Sequence, residues 1–94
     1  WPTEVRVATQ SDTTTISVLA ADRPGLLALL GLLFVEMNLT LQSARITTLG
    51  ERVEDIFVVR TTTGEALTNT EDMYTLQHTI RQRLDNQLGK TIGT

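Results

Sequence analysis

Ala21-Asp22-Arg23-Pro24-Gly25-Leu26-Leu27 joins strand periodicity to helical character, and the reading of this join decides the fold. Upstream, Ile16, Val18 and Ala20 alternate with Ser17 and Leu19, the period-2 spacing of a strand. Downstream, Pro24 has the fixed φ that suits a first helical turn. Asp22 or Arg23 then takes the capping position, and the short carboxylate of Asp22 is suited to accept helix N–H groups. Gly25 lets the backbone come close to another group. First-turn N–H groups lack intrahelical partners and lie at the positive end of the helix dipole. Such a turn either holds a small carboxylate or is a plain connection, and its own chemistry leaves both open.

After the join, the spacing predicts a helix over about 24–37. Its stretch 26–35 has no polar side chain, whereas an ordinary surface helix shows one apolar stripe. One side is expected to cover a sheet. The other side, with Leu26, Leu29, Leu32 and Leu33 as candidate contacts, is expected to meet a neighbouring helix, domain or subunit. Gly31 would allow close approach. The alternative is a helix enclosed within the domain, which a chain of 94 residues can hardly achieve. Asn38 is suited to a left-handed terminator.

Working outward, Val5 and Val7 alternate with Glu4 and Arg6, which predicts a half-buried strand over 4–8. Gln10-Ser11-Asp12 supplies turn residues, so this strand and the one over 13–20 should form an antiparallel hairpin. A third strand is predicted over 39–49. Its apolar phase shifts from Leu39 and Leu41 to Ala44 and Ile46, which predicts a bulge near Gln42-Ser43. Gly50-Glu51 turns the chain into a fourth strand over 53–61. Ile56-Phe57-Val58-Val59 is apolar on both faces, as expected of a central strand. Thr68-Asn69-Thr70-Glu71 resembles a capping box. Met73, Leu76, Ile80, Leu84 and Leu88 then recur at helical spacing. Gly89 is expected to end that helix, with 89–94 as a frayed tail.

The order strand–strand–helix–strand–strand–helix predicts one α+β domain over 1–94. It would be a ferredoxin-like sandwich, a four-stranded antiparallel sheet with two helices on one face. Its edge strand would come from the N-terminus. A right-handed crossover would also let the strands over 13–20 and 53–61 lie parallel in the centre. The first residue is Trp1, which suggests a fragment of a longer chain.

Chemistry is sparse. His78, the single histidine, falls off the apolar stripe of its helix and is expected to be solvated. Glu54 and Asp55 are adjacent on a strand, so they point to opposite faces and form no carboxylate dyad. Ser11, Ser17 and Ser43 are not on a nucleophile elbow, and no cluster has metal-ligand spacing. The fragment is therefore expected to bind or transmit rather than catalyse, with no cofactor. A net charge of −3 without a basic block argues against a nucleic-acid partner. No run reaches the roughly 20 apolar residues of a membrane span. The lack of cysteine suits a reducing, cytoplasmic setting.

The layout and the Asp22-Arg23-Pro24-Gly25-Leu26-Leu27 turn together resemble the ACT domain family. ACT domains are small regulatory modules that bind amino acids, usually between paired domains. Within that family, Ala44-Arg45-Ile46-Thr47-Thr48-Leu49-Gly50-Glu51-Arg52-Val53-Glu54-Asp55-Ile56-Phe57 is similar to the last ACT domain of bacterial PII uridylyltransferase/uridylyl-removing enzymes. The resemblance implies a sensor of glutamine in nitrogen metabolism, partnered by another ACT domain and by the catalytic domains of a parent chain. It implies ligand contacts at Asp22, Arg23, Pro24, Gly25, Leu26 and Asn38. Some members have a histidine where Ala20 stands, so recognition here would rely on backbone groups. Two other readings compete with it. One is a structural module that pairs without a ligand. The other is a ferredoxin-like nucleic-acid binder, which the acidic balance disfavours.

Overall fold

The computed structural model describes the backbone of residues 2–22 and 24–93, with side chains as far as Asn86. The elements are β1 (Glu4–Gln10), β2 (Thr13–Ala21), α1 (Leu26–Glu36), β3 (Leu39–Leu49), β4 (Arg52–Thr61) and α2 (Thr70–Gly93). They form a four-stranded sheet in the order β1-β2-β4-β3, antiparallel throughout, with two helices. The edge strand is supplied by the N-terminal segment and β4 is central, both as the residue pattern predicts.

The parallel pairing of the two central strands is not what forms. Ile16 lies opposite Phe57 in an antiparallel register. The reason lies in the connections. The crossover through α1 makes β3 run parallel to β2, and the tight turn at Gly50 and Glu51 then reverses the chain. β4 enters the gap between β2 and β3 in the opposite sense. The predicted bulge forms, with the β3–β4 register shifting between Leu41 and Ser43. Asn38 has a φ of 59°, the left-handed terminator expected after α1.

Strand alternation builds the core. Ile16, Val18 and Ala20 of β2 and Val53, Phe57 and Val59 of β4 are buried on one face. Leu30, Leu33 and Phe34 of α1 and Leu76, Ile80 and Leu84 of α2 close over them. Phe34 meets Phe57 edge-on, with centroids 5.0 Å apart and planes at 73°. Thr14, also buried, ties the loop before α2 to the sheet. Its hydroxyl accepts the Leu67 N–H at 2.9 Å and lies 3.1 Å from the Thr9 hydroxyl.

The helix ends differ from the sequence pattern. Asn69, rather than Thr68, caps α2, its side-chain oxygen accepting the Glu71 N–H at 2.8 Å and the Asp72 N–H at 3.4 Å. α2 then continues through Gly89 to Gly93, where a stop and frayed tail were expected. A glycine is a poor helix former, but within a formed helix it costs only about 1 kcal/mol relative to alanine. Leu88 as a stripe residue lies outside the described side chains.

The apolar helix α1 is buried on one side only. Leu26 and Leu33, expected among its outward contacts, belong to the core, and Leu29 packs partly against it. Leu32 is exposed as expected, together with Leu27 and Val35. At about 100° per residue, the positions that reach the sheet are 26, 30, 33 and 34, a phase that an all-apolar sequence cannot reveal.

Candidate functional site

The join between β2 and α1 starts the helix later than its sequence suggests. Gly25 is the N-cap, with φ 82° and ψ −2°, and no side chain caps the helix. Its carbonyl accepts the Leu29 N–H at 2.9 Å. Pro24 therefore precedes the helix, and Asp22 is not its cap. The Asp22 backbone N–H instead donates to the Glu51 carbonyl at 2.8 Å, bracing the join against the β3–β4 turn. Arg23 as a contact residue lies outside the described residues.

Gly25 has a backbone angle in the left-handed region that favours glycine. A Cβ added there would meet nothing within 4 Å, so space does not exclude a side chain. Replacing a glycine in the left-handed region with alanine costs about 1–2 kcal/mol. Gly25→Ala is expected to lower unfolding free energy in urea by that amount, and Gly25→Asn by less, because asparagine tolerates this region. Alanine would be neutral or stabilising only at a first-turn helical position, and Gly25 precedes the helix as its N-cap.

Beside this helix start lies a cavity of about 320 Å³. The join and the first turn contribute Asp22, Gly25, Leu26, Leu27 and Ala28; the strands contribute Ile46, Thr48, Val53 and Asp55. Asn38 is not part of it. An 11-residue helix separates the two ends of α1, a span of roughly 16 Å at 1.5 Å per residue. Within one chain, Asn38 and the 22–26 turn do not converge.

Asp55 is the unexpected member. Its register partners are Val18 on β2 and Ile46 on β3, and Val18 in turn faces Val5. A carboxyl group thus stands in a row of aliphatic side chains across the sheet. Asp55 is 1% exposed, and neither carboxylate oxygen has a hydrogen-bond partner among the described residues. Burial, reinforced by the nearby Asp22 charge, raises its pKa above the ordinary 3.8. The adjacency of Glu54 and Asp55 on a strand places them on opposite faces but does not by itself say which face is buried. Val53, Phe57 and Val59 share the phase of Asp55, and that alternation is the signal that could have found it.

Elsewhere the chemistry stays sparse. His78 is exposed and stacks on Tyr74, with centroids 6.1 Å apart. Among the described residues there is no group of three acidic or histidine side chains that could hold a metal ion. No described helix is long and apolar enough to cross a membrane.

No family model and no solved structure matches the chain. Curated proteins do. Over 75 residues, 80% of the chain, it is 48% identical to a protein of Ectopseudomonas mendocina and 45% identical to one of Pseudomonas putida strain F1. Over 79 residues, 84% of the chain, it is 42% identical to one of Stutzerimonas stutzeri. All three are named bifunctional uridylyltransferase/uridylyl-removing enzyme. The matched stretch spans only 8–9% of their length.

Proposed function

We propose that this chain is a regulatory module of the ACT type, the C-terminal sensor of a bifunctional uridylyltransferase/uridylyl-removing enzyme, and that its effector is glutamine. The names of its relatives support the parent enzyme, and the small share of them it spans supports a non-catalytic part. The observation that carries the sensing role is the cavity at the uncapped start of α1, with a buried acid in its wall.

A zwitterionic effector fits these surroundings. Its carboxylate would accept N–H groups at the start of α1, where no side chain competes and no acidic residue occupies the first helical turn. Its ammonium would face Asp22 or nearby carbonyls. Asn38 could reach the ligand only from a partner ACT domain, so the ligand would bridge two domains. It then alters the catalytic domains only through its differential affinity for two arrangements of the modules.

Titration calorimetry of L-glutamine into the chain tests this. One saturable site is the expected result, and an absence of heat with glutamine and every other common amino acid overturns the sensing role. A second reading, a pairing module without a ligand, is favoured by the free edge of β3. Every residue of that strand beyond Leu39 is exposed, including Leu41, Ile46 and Leu49. Such an edge is a template for a second strand. Ligand-free dimers in sedimentation, together with no amino-acid binding, would decide for it.

A further inference from the structure

We infer that Asp55 and Asp22 form an acidic seat for a primary ammonium group, so that the cavity recognises the cationic end of its ligand through a side chain buried beneath the sheet-facing helix. The inference rests on the amino-acid-sensing reading and adds to it the residue and ligand group that decide affinity.

Asp55 presents two acceptor oxygens that no described donor uses. An ionised carboxylate accepts on both oxygens, and a buried one must find donors, a counter-charge or a proton. Among the described residues that line the cavity, none supplies a counter-charge. The cavity is lined by Asp22, by glycine and aliphatic side chains, and by Thr48, with no basic residue among them. α1 has no charged residue before Glu36, β2 has none, and Arg45 of β3 stands opposite Ile56 on the other face. Burial first, and the Asp22 charge second, shift Asp55 toward protonation.

A primary ammonium meets the requirement. It brings one positive charge and three donors in the volume of a methyl group, and two acidic side chains can share them. The neighbouring helix start favours an anion. Negative oxygens beneath and positive backbone N–H groups beside them create a local field that matches an α-amino acid, whose ammonium and carboxylate share one carbon.

The test compares L-glutamine with glutaramate, which keeps the carboxylate and amide but lacks the ammonium. Each is titrated calorimetrically into wild type and Asp55→Asn. In parallel, carbon-detected NMR follows the Asp55 carboxyl of the wild type through pH with methylammonium chloride, sodium chloride or magnesium chloride. Asp55→Asn is expected to weaken glutamine by roughly tenfold or more, as loss of a charged hydrogen-bond partner does. Glutaramate should bind wild type more weakly than glutamine does, and bind both proteins alike. Methylammonium should lower the Asp55 titration midpoint, whereas sodium at the same ionic strength should not. Glutamine binding to both proteins within about twofold overturns the seat and leaves the sensing role standing. No amino-acid binding, with a methylammonium-specific shift, removes the sensing role and keeps the seat. An Asp55 midpoint unmoved by methylammonium, or moved only by magnesium, overturns the seat. The NMR arm uses wild type and so holds whatever the stability of the variant.

Discussion

Phe34→Ala is expected to destabilise the chain by about 3–5 kcal/mol, the cost of emptying a buried aromatic site. Phe34 is 4% exposed and meets Phe57 edge-on across the helix–sheet boundary. The loss would remove the transfer energy of the ring, an aromatic pair, and contacts the remaining core cannot recover. A domain of 94 residues has a total stability of roughly 5–14 kcal/mol, so this one change consumes a large share of it. Leu32→Glu, two positions earlier on the same helix, should alter stability by no more than about 0.5 kcal/mol, because Leu32 is half exposed. Urea unfolding of the two variants checks which side of α1 is the core. Similar losses for both would mean that the helix is rotated from the position described.

The second large effect concerns Asp55 and has an unusual sign. Most native aspartates are more acidic when folded, and their proteins lose stability as pH falls. Asp55 is raised, by desolvation first and by the Asp22 charge second. The folded state then binds a proton that the unfolded state has already released. Stability from this group is present at low pH and is lost as pH rises from the ordinary 3.8 through the raised folded value. Asp55→Asn should abolish that slope. It should also stabilise the ligand-free chain at pH 7 by about 1–2 kcal/mol, since a neutral amide costs less to bury than an uncompensated charge. Denaturant midpoints of wild type and variant across pH ~4 to ~8 measure both effects. A variant less stable than wild type at pH 7 would show that Asp55 is well paired at rest. Stability gained with the same substitution that weakens glutamine would separate a residue kept for binding from one kept for folding.

What the sequence determined by itself was mostly local. Element order, the N-terminal edge strand, the bulge at Gln42-Ser43, the turn at Gly50-Glu51 and the α2 stripe all follow from periodicities and turn residues within about ten positions, a range over which chain geometry is fixed by φ/ψ preferences. The Pro24-Gly25 join was legible as a strand-to-helix boundary, though not its start at Leu26, because a left-handed glycine and a helical glycine look alike in sequence. What only the tertiary structure decided depends on contacts between distant segments. β4 runs antiparallel to β2 because it fills the gap left by a crossover. α1 presents Leu26, Leu30, Leu33 and Phe34 to the sheet because packing chooses one face of a helix that is apolar on every side. Asn38 is separated from the turn by the length of α1, a distance that adjacency in a motif does not show. Asp55 differs from Glu54 by one residue, yet one is buried and the other half-exposed, since a strand alternates its faces and only the arriving helices determine which face is dry.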